Sequence, residues 1–252
     1  MIDISSGHAA LDAFLAGHYL RIRGMSSRFA AAICGHIMRR QTALGITGDL
    51  LEIGTFEGRF FIAMAMLLAP DEHGVGIDVF TWPSARVYDH FLANCADAGL
   101  DAHSYTAWKT DTRTITADDL RAKLPAGAAR FVHVDGEHNV ECLTQDLELA
   151  HAVLHPDGVI VIDDMLHPGY PTLVTTVLDY LARHPEMRVL CIIDRESITA
   201  AAKFVLCRVD RVASYEQDLM TTFAKFHYVL GAYVTGYLTL VLTPDPTLPK
   251  VD

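Results

Sequence analysis

Basic residues are scarce. Twenty Lys and Arg stand against 31 Asp and Glu, for a formal net charge of −11. That balance excludes a binder living on phosphate contacts and a protein held on anionic lipid, so neither nucleic acid nor membrane is an expected partner. Charged residues of both signs make up only 20% of the chain while hydrophobic ones reach 51%, which excludes disorder as the general state. No two of the five cysteines (Cys34, Cys95, Cys142, Cys191 and Cys207) form a C-x-x-C. A zinc knuckle or thioredoxin-type site is therefore not expected, and reduced core thiols are. The longest apolar run, Phe60 to Pro70, is too short to span a bilayer. The stretch from Tyr228 to Thr243 is broken by Gly231 and Gly236 and reads as buried or interfacial. Met1 to Ser5 show no basic segment followed by an apolar one, so no signal peptide and a cytoplasmic location are expected. A G-x-x-x-x-G-K-[ST] phosphate loop and a G-x-S-x-G nucleophile elbow are missing too.

What is present is alternation. Residues 8–43 read as helix, with Phe29, Ile33, Ile37 and Leu44 at helical spacing and Arg39 and Arg40 near the C-terminal end. Then strands are expected at 49–53, 75–79, 102–107, 130–134 and 159–162. Helices are expected between them at 60–68, 86–98, 117–123 and 140–154, and another follows at 170–183. Strands separated by helices mean βαβ units and a parallel sheet covered on both faces. Two last strands, 188–193 and 203–208, are joined by too few residues for a helical crossover and should pair antiparallel. The expectation is one α/β domain over 1–252. Its core, 48–211, is a Rossmann-like, doubly wound, seven-stranded, mainly parallel sheet with one antiparallel strand at the end. Residues 1–47 form an N-terminal helical cap and 212–252 a C-terminal extension of underived fold. The extension is apolar (Phe223, Phe226, Tyr228 to Leu230, then Tyr233 to Leu242). It is expected to pack on the sheet or on another subunit, which makes a homodimer an expectation.

In an open parallel sheet ligands sit beyond the carboxyl ends of the strands. Five expected strands end there in polar or glycine-rich clusters: Glu52 to Gly58, Asp78, Lys109 to Asp111, Asp135 to His138, and Asp163-Asp164. In the first, Gly54 would admit close backbone approach and Gly58 close helix packing. Asp78 suits a carboxylate accepting from both ribose hydroxyls of an adenosine. Glu52 and Glu57 flank the turn, and negative groups suit a cationic sulfonium better than a pyrophosphate, which favours S-adenosylmethionine over a dinucleotide. Asp135, Asp163 and Asp164 offer three hard anionic oxygens, a set that suits Mg²⁺. The alternative is that Asp163 or Asp164 caps the following turn and Asp135 is a bare acid at the ligand edge. His138 or Glu137 could take a proton from a substrate hydroxyl, and imidazole has the better intrinsic pKa for it. His133 reads as a packed residue inside a strand, and His167 as a lesser candidate for substrate contact.

The run Leu51 to Arg59 (LEIGTFEGR) with Asp78 resembles the first two motifs of class I S-adenosylmethionine-dependent methyltransferases. The run Val134 to His138 (VDGEH), followed by Leu154 to Asp164 (LHPDGVIVIDD), is similar to Mg²⁺-dependent sugar O-methyltransferases of macrolide and aminocoumarin biosynthesis and to cephalosporin-hydroxylase-like relatives. The resemblance covers roughly 48–209. It implies a metal held by Asp135, Asp163 and Asp164, and a base at His138 or, in another branch, Glu137. The cofactor contacts come from Glu52, Gly54, Thr55, Phe56, Glu57, Gly58, Asp78, Thr110, Asp111 and Asp135. The expected function is S-adenosylmethionine-dependent methyl transfer to a hydroxyl of a small molecule such as a sugar or polyol. The alternatives are a metal-independent N- or C-methyltransferase, a nicotinamide oxidoreductase and a non-catalytic adenosine binder.

Overall fold

The computed structural model describes residues 2–247; Met1 and the last five residues of the C-terminal extension lie outside them. In chain order the main elements are α1 (Ala9–Gly17), α2 (Arg28–Ala43), β1 (Asp49–Ile53), α3 (Arg59–Ala65), β2 (Gly74–Asp78), α4 (Val87–Asp97), β3 (Tyr105–Lys109), α5 (Ala117–Arg121), β4 (Ala129–Val134), α6 (Val140–Val153), β5 (Leu154–Met165), α7 (Thr172–Arg183), β6 (Met187–Ile193), β7 (Ala202–Arg208), α8 (Val212–Thr222), β8 (Ala232–Val234) and β9 (Tyr237–Leu242). The sheet order is β3-β2-β1-β4-β5-β7-β6-β9-β8. The strands β3, β2, β1, β4 and β5 run parallel, and β7 pairs antiparallel with both β5 and β6. Parallel strands buried on both faces read as continuous apolar runs, and every residue of β1 and β4 is buried.

The sheet has nine strands, not the expected seven. The extra pair lies in the C-terminal extension, where β9 joins β6 in parallel and β8 folds back on β9. Thr235 and Gly236 both have positive φ (43° and 89°), the two-residue turn that matches strand twist in a hairpin. A second difference lies at the N-terminus, where the single helix expected over 8–43 is two. The chain leaves α1 at Gly17, and Ser27 caps α2 by accepting from the Ala30 amide. Between them the buried Tyr19 donates its hydroxyl to the Ser26 and Ser27 carbonyls, each at 3.2 Å.

The core has two layers. On one face α1 to α4 and α8 cover Leu50, Phe131, Val159, Val161 and Val205. On the other α5, α6 and α7 cover Leu51, Ile53, Val132, Ile160 and Leu206. All five cysteines are buried and unpaired. Among the described residues no helix is long and apolar enough to cross a membrane.

Candidate active site

The turn after β1 is shaped by backbone contacts. Gly54 has φ +86°, and a Cβ there would collide with the Asp135 carbonyl at the end of β4. Glycine at 54 therefore serves a close approach between two strand ends, besides any approach to a ligand. The Phe56 amide donates to Asp78 Oδ2 at 2.8 Å, and the Phe80 amide to Oδ1 at 2.6 Å. Asp78 thus ties the β1 turn to the end of β2 while keeping lone pairs free. Phe56, Phe80, Asp164 and Leu166 have positive φ without being glycine, and all four lie beyond the carboxyl ends of the strands. Such strain tends to gather at functional sites.

Beyond this edge opens a cleft of about 670 Å³, and Gly54, Phe56, Asp78, Thr110, Asp111, Asp135, Glu137 and His138 line it. Asp163 and Asp164 lie beside it around a small pocket shared with Asp135 and His138. Glu52, Thr55, Glu57 and Gly58 do not line the cleft. Glu57 is buried, accepts from Arg23 Nη1 at 2.8 Å and faces His90 Nδ1 at 3.0 Å, which ties the N-terminal segment to α4. Glu52 is buried against His133 Nδ1 at 2.7 Å.

His138 Nε2 lies 2.5 Å from Asp164 Oδ2, and its ring stacks on Tyr170 with centroids 4.3 Å apart. The Asp164 hydrogen bond lifts the imidazole above its ordinary pKa. Tyr170 also stacks on His167, so the three rings form one wall. Burial, with Asp163 alongside, pushes the Asp135 carboxyl well above the usual carboxylate range.

The sequence-level metal trio is divided. Asp163 accepts the Asp164 amide on Oδ1 at 2.8 Å, and its Oδ2 is paired with the Lys203 ammonium. Burial alone would raise Asp163, but Lys203 and His133 override it and hold the carboxyl well below its usual range. Asp163 therefore has no oxygen to spare for a metal. Asp135, Asp164 and His138 do bring ligand atoms within 4.8 Å of one another. The donors present thus fit a divalent cation at two carboxylates rather than three.

Behind this edge runs a buried polar row across four adjacent strands: Glu52 (β1), His133 (β4), Asp163 (β5) and Lys203 (β7). Glu52 pairs with His133 in register, and the Ile162–Phe204 pairing sets Asp163 beside Lys203. With the proton on Nδ1, His133 donates to Glu52 and accepts from Lys203 Nζ at 3.2 Å. Phe60 covers the row, its ring centroid 4.1 Å from that of His133.

Sequence reasoning missed Lys203 and Asp146. Lys203 opens an apolar strand, in phase with the inward Val205 and Cys207, and that phase was its only signal. Asp146 falls on the inward stripe of α6 between Leu143 and Ala150 and lines the cleft. Burial raises its carboxyl to about 6. A Tyr-x-x-x-Lys spacing of the dehydrogenase kind does occur, at Tyr105 and Lys109. It lies along β3, where residues four apart are separated by about 13 Å rather than by one helical turn.

The comparisons agree on a fold. The family model described as a methyltransferase domain matches residues 51–165. The O-methyltransferase TomG of Streptomyces achromogenes, involved in tomaymycin synthesis and solved with S-adenosylmethionine, is 22% identical with a TM-score of 0.53, over 79% of this chain and 88% of its own. CalS11, a TDP-rhamnose 3'-O-methyltransferase of calicheamicin biosynthesis, is 19% identical with a TM-score of 0.54, over 80% and 92%. The O-methyltransferase of Bacillus cereus, solved with S-adenosylhomocysteine, is 13% identical with a TM-score of 0.57, over 80% and 91%. At these identities the likeness establishes the Rossmann-like fold. No curated protein matches the chain.

Proposed function

We propose, from the premise that residues 51–165 are a methyltransferase domain resembling the class I S-adenosylmethionine-dependent enzymes, that this chain is an O-methyltransferase acting on a hydroxyl of a small molecule such as a sugar or polyol. The observation that carries the reading is the meeting, in one cleft, of the Asp78-anchored turn after β1 with the His138–Asp164 pair after β4 and β5.

The turn from Gly54 to Phe56 would hold the amino-acid end of the cofactor, Asp78 would accept from the ribose hydroxyls, and Thr110 and Asp111 would border the base. Glu52, Glu57 and Gly58 would shape that turn from behind. S-adenosylmethionine, when bound, supplies a methyl group on a positively charged sulfur. His138 takes the proton of the acceptor hydroxyl, and its oxygen is then free to attack the methyl carbon as the carbon–sulfur bond breaks. Asp164 fixes the imidazole and stabilises its protonated form. Glu137, at the exposed rim of the same loop, is the runner-up for the base. The walls from Tyr170 to Trp82 would hold the acceptor in line.

A divalent cation such as Mg²⁺, held by Asp135 and Asp164, would supply positive charge that acidifies the hydroxyl. Turnover should then fall on adding EDTA and return with Mg²⁺. A second reading is favoured by the Lys203–Asp163 pair, in which Lys203 provides the fixed positive charge and turnover is indifferent to EDTA. Calorimetric titration with S-adenosylhomocysteine tests the common premise. One-to-one binding is expected, weakened at least tenfold in Asp78→Ala. Folded protein giving no heat at several temperatures would sink both readings.

A further inference from the structure

The helices α6 and α7 begin near the cleft and run back to the opposite edge of the sheet, about 20 Å away for the 14 residues of α6. There His151, in the last turn of α6, meets His184, which caps α7, and Glu186, just before β6. His151 Nε2 lies 3.5 Å from Glu186 Oε1, and His184 Nδ1 lies 3.4 Å from the same oxygen. All three atoms fall within 4.8 Å of one another. Ligands held tetrahedrally at about 2.0–2.1 Å from zinc stand about 3.4 Å apart. The carboxylate oxygen is already at ligand spacing from both imidazoles.

The outward nitrogens settle which lone pairs face inward. His151 Nδ1 is 2.7 Å from the Tyr180 hydroxyl. His184 Nε2 is 3.1 and 3.2 Å from the two oxygens of Glu148, which Arg183 holds from the other side at 2.8 Å. If each outward nitrogen carries its ring's proton, His151 Nε2, His184 Nδ1 and Glu186 Oε1 converge as three acceptors with no donor between them. That is the arrangement of histidine ligands whose second nitrogens are fixed by a carboxylate or hydroxyl. The side chains of His151, His184 and Glu186 are 27%, 20% and 36% exposed, so an ion can enter and water can complete its shell.

We infer that His151, His184 and Glu186 form a transition-metal site, zinc by its donor set, that clamps the ends of α6 and α7 to the start of β6. Two imidazoles and one carboxylate select a borderline ion such as Zn²⁺ over Mg²⁺, which takes oxygen ligands. The site is independent of the proposed methyl transfer.

The test is Zn²⁺ titration of the full chain in the presence of excess Mg²⁺, followed by Co²⁺ substitution. One equivalent of Zn²⁺ per chain is expected, with a rise in Tm and tetrahedral Co²⁺ bands in the visible spectrum. His151→Ala and His184→Ala should each abolish the bands. Glu148→Gln, which keeps every ligand, should weaken binding about 10–100-fold. Asp135→Asn should leave the site intact and so separates it from the cleft acids. Absence of stoichiometric binding, or binding that survives both histidine variants in folded protein, would overturn the inference.

Discussion

Two buried ion pairs sit at opposite edges of the same sheet, and they differ in how completely they are satisfied. At the amino end of β4, Arg130 forms a two-pronged pair with Glu72, Nε and Nη2 each at 2.6 Å from a carboxylate oxygen. Its remaining donors reach the Met38 and Leu67 carbonyls and Gln41, and Glu72 also takes the Gly48 and Ala69 amides. One positive charge meets one negative charge, and the donors and acceptors are used up. At the carboxyl edge Lys203 meets Asp163, but Glu52 and Asp135 add negative charge nearby, and Glu52 Oε2 has no partner. Saturation marks the edge that holds the fold. Surplus charge and idle acceptors mark the edge where a ligand belongs.

The sharpest way to break the comparison is to remove the cation at each edge. Arg130→Met should destabilise by about 3–5 kcal/mol, because Glu72 is left buried and unpaired. The double change with Glu72→Leu should recover most of that loss in a denaturant titration. Lys203→Met should cost less, since Asp163 can take up a proton or a divalent ion. In that variant added Mg²⁺ should raise Tm, whereas it should do nothing for Arg130→Met. Equal losses at both edges, neither repaired by Mg²⁺, would mean the two pairs play the same structural part.

His138→Ala should lower kcat by roughly 10²–10⁴ with little change in Tm, as expected of a base at the surplus edge. An unchanged kcat would pass the role to Glu137.

The smallest expected effect concerns Asp146. Its carboxyl is raised by burial from 3.8 to about 6, so its ionisation opposes folding. The cost is absent below pH 4, grows between pH 4 and about 6, and is constant above. Asp146→Asn should therefore gain on the order of 1–3 kcal/mol at pH 7 and nothing at pH 3.5. A gain that did not vary with pH would remove Asp146 from the surplus-charge account.

Much of this arrangement can be read from the residues. Apolar runs between helical segments mark β1 to β7, and the antiparallel partnership of β6 and β7 follows from the short link between them. The convergence of Gly54, Asp78, Asp135 and His138 on one edge follows from parallel topology alone. Less legible was anything set by which face a side chain takes. Glu52 stands one residue before a strand tip, and the pleat turns it into the helical layer rather than toward the cleft. Lys203 finds Asp163 only because β7 runs against β5 in a particular register. The hairpin of β8 and β9 was hidden because its apolar residues, taken at helical spacing, masked the Thr235-Gly236 turn. The break between α1 and α2 depends on Tyr19 reaching back to two carbonyls, a long-range contact that local pattern does not carry.

The contact at Gly54 has a mechanical consequence. The chain that would cradle the methyl donor and the loop that carries the proposed base touch through main-chain atoms, with no side chain between them to act as a cushion. Side chains can relax by changing rotamer, but two abutting backbones cannot. The spacing between the donor and acceptor halves of the cleft is therefore built into the β1–β4 seam. Even a single methyl group at position 54 would act as a wedge that moves His138 without touching it.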